Sequence, residues 1–267
     1  MRAITIGYHD VLEDRRTAPG AVYKAIYTLD RRDFVNHLVA IERRHVGVRT
    51  ITQFHEWETD VPVFLTFDDG TLGGYSCCAP ALEQRQMRGH FFITTDWIGQ
   101  PGYMDRRQIR ELHDRGHVVG SHSCSHPERM SRLNSIELER EWKDSCALLG
   151  DILGTAVRFA SVPGGYFSRK VAAAAEAAGV EVLFTSEPTS AAAVIDGCLV
   201  LGRYSIQRYT RAEISGAIAA GHPWPRWRQT AFWEAKKLMK ALGGESYVTV
   251  RRQILSRLMS QERPARQ

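Results

Sequence analysis

The stretch VFLTFDDGTLGG, residues 63–74, places two carboxylates, Asp68 and Asp69, directly after a run of strand-forming residues. Successive side chains of a strand point to opposite faces, so both carboxylates can enter one cleft only if the strand ends there. Gly70 follows them and is a common turn residue. A simple turn would also explain Asp-Asp-Gly, so the other motifs of the chain must decide between a turn and a site.

The composition is that of a soluble globular protein with one sizeable core. The chain has 267 residues, of which 43% are hydrophobic and 24% are charged. Its net charge of +5 comes from basic residues near the C-terminus that do not interleave with aromatics, so nucleic acid is not an expected partner. The start, MRAITIGYHD, lacks the pattern of an export signal, and no stretch approaches the roughly 18 apolar residues of a membrane span. We therefore expect a cytoplasmic enzyme.

Short runs of strand formers alternate with amphipathic helical runs along the chain. The predicted strands cover residues 3–8, 48–52, 62–67, 89–94, 117–122, 156–161, 180–185 and 198–205. The predicted helices lie near 31–45, 75–88, 105–115, 135–150, 168–178 and 211–220, and Asp105 and Gly116 are the expected cap residues of the third. This alternation predicts an α/β fold with a mostly parallel sheet, closed or nearly closed as a barrel. In such folds functional side chains collect at the C-terminal ends of the strands, where Asp68 and Asp69 lie.

A second motif, GSHSCSHPERM at residues 120–130, places His122 and His126 four residues apart after another predicted strand. On one helical turn this spacing brings two imidazoles to the same side. Together with Asp69 they would bind a divalent metal and leave positions open for water and substrate. Asp68 could then take a proton from the attacking water. A pair of surface histidines is the alternative.

The segments TFDDG (66–70) and HSCSHP (122–127) resemble the first two motifs of the polysaccharide deacetylases, the NodB-homology carbohydrate esterases, and the resemblance extends over residues 62–185. It implies a distorted (β/α)7 barrel and metal-dependent removal of acetyl groups from an N-acetylated sugar. It also implies that Asp68 is the general base. The metal ligands implied are Asp69, His122 and His126. Zinc is the expected metal, and cobalt, nickel or iron are alternatives.

The third family motif differs in this chain. The segment RFASVPGGYFS (158–168) has Ser161 where the family has an arginine that braces the base. Arg158 and Arg203 are the two candidates to replace it. The backbone N–H of Gly164 matches the position from which the family stabilises the tetrahedral oxyanion.

The family's last motif is a late strand ending in Leu-x-His, and it is matched here at the front of the chain. The segment ITIGYHDV (4–11) reads as an apolar strand that ends at His9. Deacetylases of poly-N-acetylglucosamine carry this strand first, as a circular permutation, and the chain resembles them. The resemblance implies that His9 is the general acid that protonates the leaving amine. A histidine that merely ends a strand is the alternative.

Two domains are predicted, a deacetylase-like barrel at 1–221 and a basic helical extension at 222–267. The extension contains Trp224, Trp227 and Trp233 followed by basic runs. Its spacing predicts amphipathic helices that pack on the barrel and keep a basic face in water. The alternative is peripheral contact with an anionic membrane, which would suit an enzyme acting on a lipid-linked sugar.

Three functions remain open from the sequence. The first is a metal-dependent deacetylase of an N-acetylated polysaccharide or glycan precursor. The second is a hydrolase of another non-peptide C–N bond, such as a cyclic amide or formamide. The third is a non-catalytic carbohydrate-binding relative. Retention of Asp68 favours an enzyme, because a binding protein needs the metal ligands but has no use for a base.

Overall fold

A computed structural model describes residues 1–13, 26–52, 61–235 and 237. The strands are β1 (Ile4–Tyr8), β2 (Asp10–Leu12), β3 (Thr28–Asp30), β4 (Val63–Phe67), β5 (His90–Ile93), β6 (Val118–Ser121), β7 (Phe159–Ser161), β8 (Val182–Phe184), β9 (Ala192–Ile195), β10 (Cys198–Leu201) and β11 (Tyr204–Ser205). The helices are α1 (Arg31–Glu42), α2 (Ala79–Glu83), α3 (Arg106–Asp114), α4 (Ser135–Leu153), α5 (Arg169–Ala177) and α6 (Ala212–Ala219), and residues 223–235 form one more, here the C-terminal helix.

Nine strands form one sheet in the order β11-β1-β4-β5-β6-β7-β8-β10-β9. Adjacent strands of this sheet pair in parallel, except that β9 runs antiparallel to β10. Helices α1 to α5 connect the successive parallel strands from β1 to β8, so the predicted α/β barrel is confirmed. The barrel is incomplete, since β11 and β9 form the two edges of the sheet.

Side-chain alternation along the strands separates an inner from an outer core. On β4, Val63, Leu65 and Phe67 belong to the outer cluster, which contains the helix side chains, whereas Phe64 belongs to a smaller inner cluster. The inner cluster consists of Ala3, Ile51, Phe64, Phe92, Val118, Val182, Phe184, Leu199 and Leu201. This cluster fills the interior below the strand ends, so a residue that continues an inward row past the end of its strand points into the mouth of the barrel.

Helix α3 begins and ends where the sequence predicted. The Asp105 side chain accepts a hydrogen bond from the Gln108 backbone N–H at 2.8 Å, and the Gln108 side chain accepts one from the Asp105 N–H at 2.9 Å. This reciprocal pair is a capping box. Gly116, with φ of +83°, follows the last turn as expected of a residue that ends a helix in the left-handed region.

Two strand predictions are wrong. Residues 48–52 form only an isolated bridge, between Val48 and Val63. The Ile51 side chain packs in the inner cluster, and its N–H donates to His90 Nε2 at 2.9 Å rather than to a neighbouring strand. The predicted strand 198–205 is two strands that separate at Gly202. A Cβ at Gly202 would lie 2.3 Å from the Glu187 carbonyl oxygen, so the chain passes another backbone there too closely for any larger residue.

The C-terminal helix packs across the open side of the sheet. Arg226 donates to the Tyr204 hydroxyl of β11 at 2.9 Å and to Ser190 Oγ, just before β9, at 2.6 Å. The helix thus contacts chain near both edges of the sheet. The rest of the predicted extension lies outside the described residues, and the boundary at 221 stays a prediction. Within the part of the chain that is described, no helix has the length and apolar character needed to cross a membrane.

Candidate active site

The two aspartates lie where β4 ends, and the backbone there explains how both face one cleft. Asp68 continues the inward row of Phe64 and Thr66 and is buried. Asp69 adopts φ of +75°, the left-handed region that residues other than glycine rarely enter, and Gly70 follows with φ of +77°. This turn brings the second carboxylate to the same side as the first. The prediction that the strand ends at the pair is confirmed.

The two histidines lie at the end of β6 and in the loop that follows. His122 is buried, and His126 is partly exposed. Ser123 and His126 have φ of +63° and +56°, so the segment is not helical, and the predicted helical turn is wrong. The His126 N–H donates to Ser123 Oγ at 3.1 Å, and Glu141 of α4 accepts from the backbone at residues 124 and 125. Local bonds and strained backbone, rather than helical spacing, bring the imidazoles together.

Asp69, His122 and His126 form a cluster with metal-site dimensions. Asp69 Oδ1 lies 3.6 Å from Nε2 of His122 and 3.6 Å from Nε2 of His126, and the three ligand atoms lie within 4.8 Å of one another. Metal–ligand bonds of about 2.0–2.2 Å in tetrahedral geometry separate neighbouring ligand atoms by about 3.4 Å. One carboxylate oxygen and two imidazole nitrogens are also a usual donor set for zinc and related divalent metals. The residues therefore fit a divalent metal.

The environment of His122 prepares it to be a ligand. Its Nδ1 lies 2.9 Å from the Ser161 carbonyl oxygen, which can only accept, so Nδ1 carries the proton. Nε2 is then the unprotonated nitrogen and faces Asp69. Burial lowers the pKa of His122 to about 4, so the imidazole is neutral near pH 7. A neutral ring whose second nitrogen donates to a carbonyl is the usual state of a metal-binding histidine.

Arg203 holds Asp68 by both oxygens. Its Nη1 lies 2.7 Å from Asp68 Oδ1 and its Nη2 lies 2.8 Å from Oδ2, while its Nε donates to the Thr185 carbonyl at 2.9 Å. The side chains of both members of the pair are at most 4% exposed. Burial acts to raise the pKa of Asp68, but the charge of Arg203 and its hydrogen bonds outweigh burial and hold that pKa well below its usual range. Asp68 is therefore a buried, ionised and oriented carboxylate.

Of the two candidate replacements for the missing arginine, Arg203 is the one that reaches Asp68. Arg158 instead pairs with Glu181 on the surface, where both side chains are more than half exposed. Ser161 is buried, and within the described residues its hydroxyl has no hydrogen-bond partner. The arginine that braces the carboxylate thus comes from the segment between β10 and β11 rather than from the end of β7.

His9 and Gly164 lie at the same edge of the barrel. His9 follows β1, which pairs with β4 along its whole length, so His9 lies at the strand end next to Asp68. This adjacency is what the circular permutation predicted from the sequence requires. The His9 ring also packs on Tyr27, with centroids 4.5 Å apart. Gly164, with φ of +62°, lies against the loop that carries His126, since a Cβ there would be 3.1 Å from the Glu128 carbonyl oxygen.

Two tryptophans at this edge were not predicted from the sequence to lie near the site. Trp97 stacks on His126, with ring centroids 5.1 Å apart and planes 26° apart, and so limits the positions that this imidazole can take. Its position just after β5 was the available signal, because β5 lies between β4 and β6. Trp233 of the C-terminal helix lies against Gly165, where a Cβ would come within 3.1 Å of the indole. No local pattern predicts that contact.

Comparison with known proteins agrees with this geometry. The family model described as polysaccharide deacetylase matches residues 58–183, which include both aspartates and both histidines. This segment of the chain matches the polysaccharide deacetylase family. It is 28% identical over 129 residues to the putative polysaccharide deacetylase YxkH of Bacillus subtilis, a match that covers 48% of this chain and 46% of that protein. It is 34% identical over 68 residues to the peptidoglycan-N-acetylmuramic acid deacetylase PdaA of the same organism, covering 25% and 24% of the two chains.

Solved structures of deacetylases share the fold. The Streptococcus pyogenes deacetylase PplD, solved with acetate, superposes with a TM-score of 0.70 at 18% identity, covering 84% of this chain and 99% of that one. IcaB from Ammonifex degensii gives a TM-score of 0.68 at 21% identity, covering 82% and 97%. The fold is thus the distorted (β/α)7 barrel of these deacetylases. The chain spans about half the length of the curated relatives that it matches first.

Proposed function

We propose that the chain is a metal-dependent deacetylase that removes N-acetyl groups from an N-acetylated polysaccharide or glycan precursor. The observation that carries the proposal is the buried Asp68, fixed by Arg203 beside the cluster of Asp69, His122 and His126. A carbohydrate-binding protein would need the cluster alone. A carboxylate held ionised next to a metal site is what hydrolysis of an amide requires, since water must lose a proton as it attacks.

The three clustered residues would hold the divalent metal. When bound there, the metal supplies a Lewis acid for the acetyl carbonyl and the attacking water. Zinc is the metal that we propose, and the same donors also suit cobalt, nickel or iron. Asp69 would contribute the anionic ligand, and the imidazoles of His122 and His126 would contribute the nitrogen ligands.

Asp68 would act as the general base. Its Oδ2 lies 3.9 Å from His122 Nε2, so the carboxylate borders the metal cluster and is a neighbour of whatever the cluster binds. Arg203 keeps it ionised and fixes the plane of the carboxylate, which leaves its remaining lone pairs to accept the proton of the attacking water. Attack of that water on the acetyl carbon forms the tetrahedral oxyanion.

Two further groups would complete the reaction. The backbone N–H of Gly164 can donate to the oxyanion, a role that requires no side chain. His9 would protonate the sugar nitrogen as the C–N bond breaks, so that acetate and a free amine leave. Relatives named for chitin and for peptidoglycan N-acetylmuramic acid support an N-acetylated glycan as the substrate class.

Metal content and acetate release, measured together, test the proposal. We expect about one metal ion per purified chain and acetate release from N-acetylglucosamine oligomers. His126→Ala should lower metal affinity by at least about 100-fold and abolish acetate release. Loss of a metal ligand should cost more affinity than loss of a residue that only hydrogen-bonds to a ligand. The exposed His222 offers a matched control, and His222→Ala should change neither. If metal is bound but a panel of N-acetylated glycans yields no acetate, the substrate class is wrong.

The role of His9 is tested by changing the leaving group. We expect His9→Ala to lower kcat on N-acetylated sugar oligomers by about 10²-fold, because the departing amine then lacks its proton donor. The kcat for hydrolysis of an activated phenyl acetate ester should change by less than about threefold, because the phenolate leaving group departs without needing a proton. Equal losses on the amide and on the ester would show that His9 does not act as the acid.

A further inference from the structure

The C-terminal helix turns its polar side toward the barrel. Gln229 donates to the Ser205 carbonyl at 3.3 Å and Thr230 donates to the Pro188 carbonyl at 2.8 Å. With Arg226 and the aromatic Trp233, these positions recur at intervals of three and four and define one face. The helix packs on the barrel as the sequence predicted, although Arg226 lies against the barrel, and most of the basic runs that were expected to face water lie outside the described residues.

The opposite face of the helix points to solvent and is mainly apolar, with Arg228 among its residues. Residues 224, 227, 231 and 235 lie on this face at intervals of three and four, and they are Trp, Trp, Ala and Ala. The two indoles are 64% and 61% exposed, and they stack with centroids 5.6 Å apart. Phe232 beside them is 56% exposed. An amphipathic helix ordinarily buries its apolar side, so this reversed orientation indicates a surface that meets something outside the barrel.

The positive charge of the chain is concentrated in the segment that contains this helix. Residues 222–267 contain ten Lys or Arg and three Glu, a net charge of +7. The first 221 residues contain 25 basic and 27 acidic residues, a net charge of −2. All of the excess positive charge therefore belongs to the segment that begins with the C-terminal helix. Two copies that met through this helix would bring together two segments that each carry a net charge of +7, so repulsion opposes self-association through this face.

We propose that the outward face of the C-terminal helix, formed by Trp224, Trp227 and Phe232, docks on an anionic lipid membrane. Indole rings are favoured at the boundary between lipid headgroups and acyl chains, where an apolar ring and a polar N–H are both accommodated. Clustered Lys and Arg attract the same segment to anionic headgroups. Apolar insertion and electrostatic attraction thus act together on one segment.

Docking through this face would hold the mouth of the barrel close to the membrane surface. The same helix places Trp233 against Gly165, next to Gly164, so the rim of the barrel mouth is attached to the docking helix. Resting on the proposed function, this arrangement favours N-acetylated glycans that are themselves held at a membrane surface. Lipid binding can be measured without turnover, so failure of the docking proposal and failure of the proposed function are distinguishable.

Vesicle sedimentation with the full chain tests the proposal. We expect the protein to bind vesicles of phosphatidylcholine with phosphatidylglycerol at least about tenfold more tightly than vesicles of phosphatidylcholine alone, and added salt should weaken that binding. The double variant Trp224→Ala, Trp227→Ala should bind the anionic vesicles about tenfold more weakly. Tyr209→Ala, which removes a 62% exposed aromatic outside the helix, is the matched control and should bind as wild type does.

Three results would overturn the proposal. The first is absence of binding to anionic vesicles at low salt. The second is unchanged binding by the double variant when its circular dichroism and its acetate release from a soluble substrate match those of wild type. The third is a dimer in solution that the double variant abolishes, with no lipid binding, which would make this face an interface between two copies.

Discussion

Asp68→Asn is expected to lower kcat for acetate release by about 10³-fold while the metal content of the protein stays unchanged. An amide cannot accept the proton of the attacking water, so the base is lost. The three clustered ligand atoms belong to Asp69, His122 and His126, and none belongs to Asp68. The measurement is acetate release by single-turnover kinetics alongside metal analysis of the same preparation.

Asp69→Asn is the matched control, because it makes the same chemical change one residue further along. It should lose metal as well as activity, since it removes the anionic ligand. Asp68→Asn also leaves Arg203 buried without an anion, so rates must be compared per folded molecule, with folding checked by circular dichroism. Retention of activity within about tenfold by Asp68→Asn would contradict the assignment of the base.

Period-two alternation explains why part of the site can be read from the sequence. Asp68 and His122 each continue an inward row of a parallel strand, Phe64-Thr66-Asp68 on β4 and Val118-Gly120-His122 on β6. Because parallel strands end at one edge of a sheet, polar residues that end such rows meet there. The residue types suggested a metal site with a neighbouring base, and the family resemblance implied the same roles.

Other features of the site depend on the tertiary structure. The positive φ angles of Asp69, Ser123 and His126 are set by the surrounding fold, and a four-residue spacing reads as a helical turn until the loop is seen. The contact of Trp97 with His126 joins two different loops. The outward face of the C-terminal helix likewise contradicts the rule that apolar positions lie against the core, and only the packing reveals it.

Arg203→Met is expected to destabilise the folded protein by about 3–5 kcal/mol, because it leaves the buried carboxylate of Asp68 without its counter-charge. The loss is measured as the free energy of unfolding in urea at neutral pH. The sign follows from the lowered pKa of Asp68 in the folded state. A depressed carboxylate pKa contributes stability above the unfolded value of about 3.9 and loses that contribution as pH falls through the folded value, so neutral pH shows the full effect.

The same variant should shift the pH dependence of catalysis. Without Arg203, burial is no longer outweighed and raises the pKa of Asp68. Since only the ionised carboxylate can accept a proton, the acidic limb of the kcat/KM profile should move to higher pH. Arg158→Met is the matched control, because its pair with Glu181 is exposed and its loss should cost no more than about 1 kcal/mol. Equal effects of the two variants would show that Arg203 does not keep Asp68 ionised.

Geometry also predicts a partial rescue of Arg203→Met by Ser161→Arg. Ser161 ends the inward row of β7, its side chain is buried, and its position is the one at which the resemblance places the family's arginine. Arg203 follows the inward residues Leu199 and Leu201 of β10 by the same period-two step. Arg203 reaches Asp68 from the row on β10, and the resemblance implies that an arginine at position 161 would reach it from the row on β7. We expect the double variant to return the acidic limb of the kcat/KM profile toward its wild-type position. Ser161→Lys in the same background should not do so. That difference would show that two parallel N–H donors, rather than positive charge alone, hold Asp68.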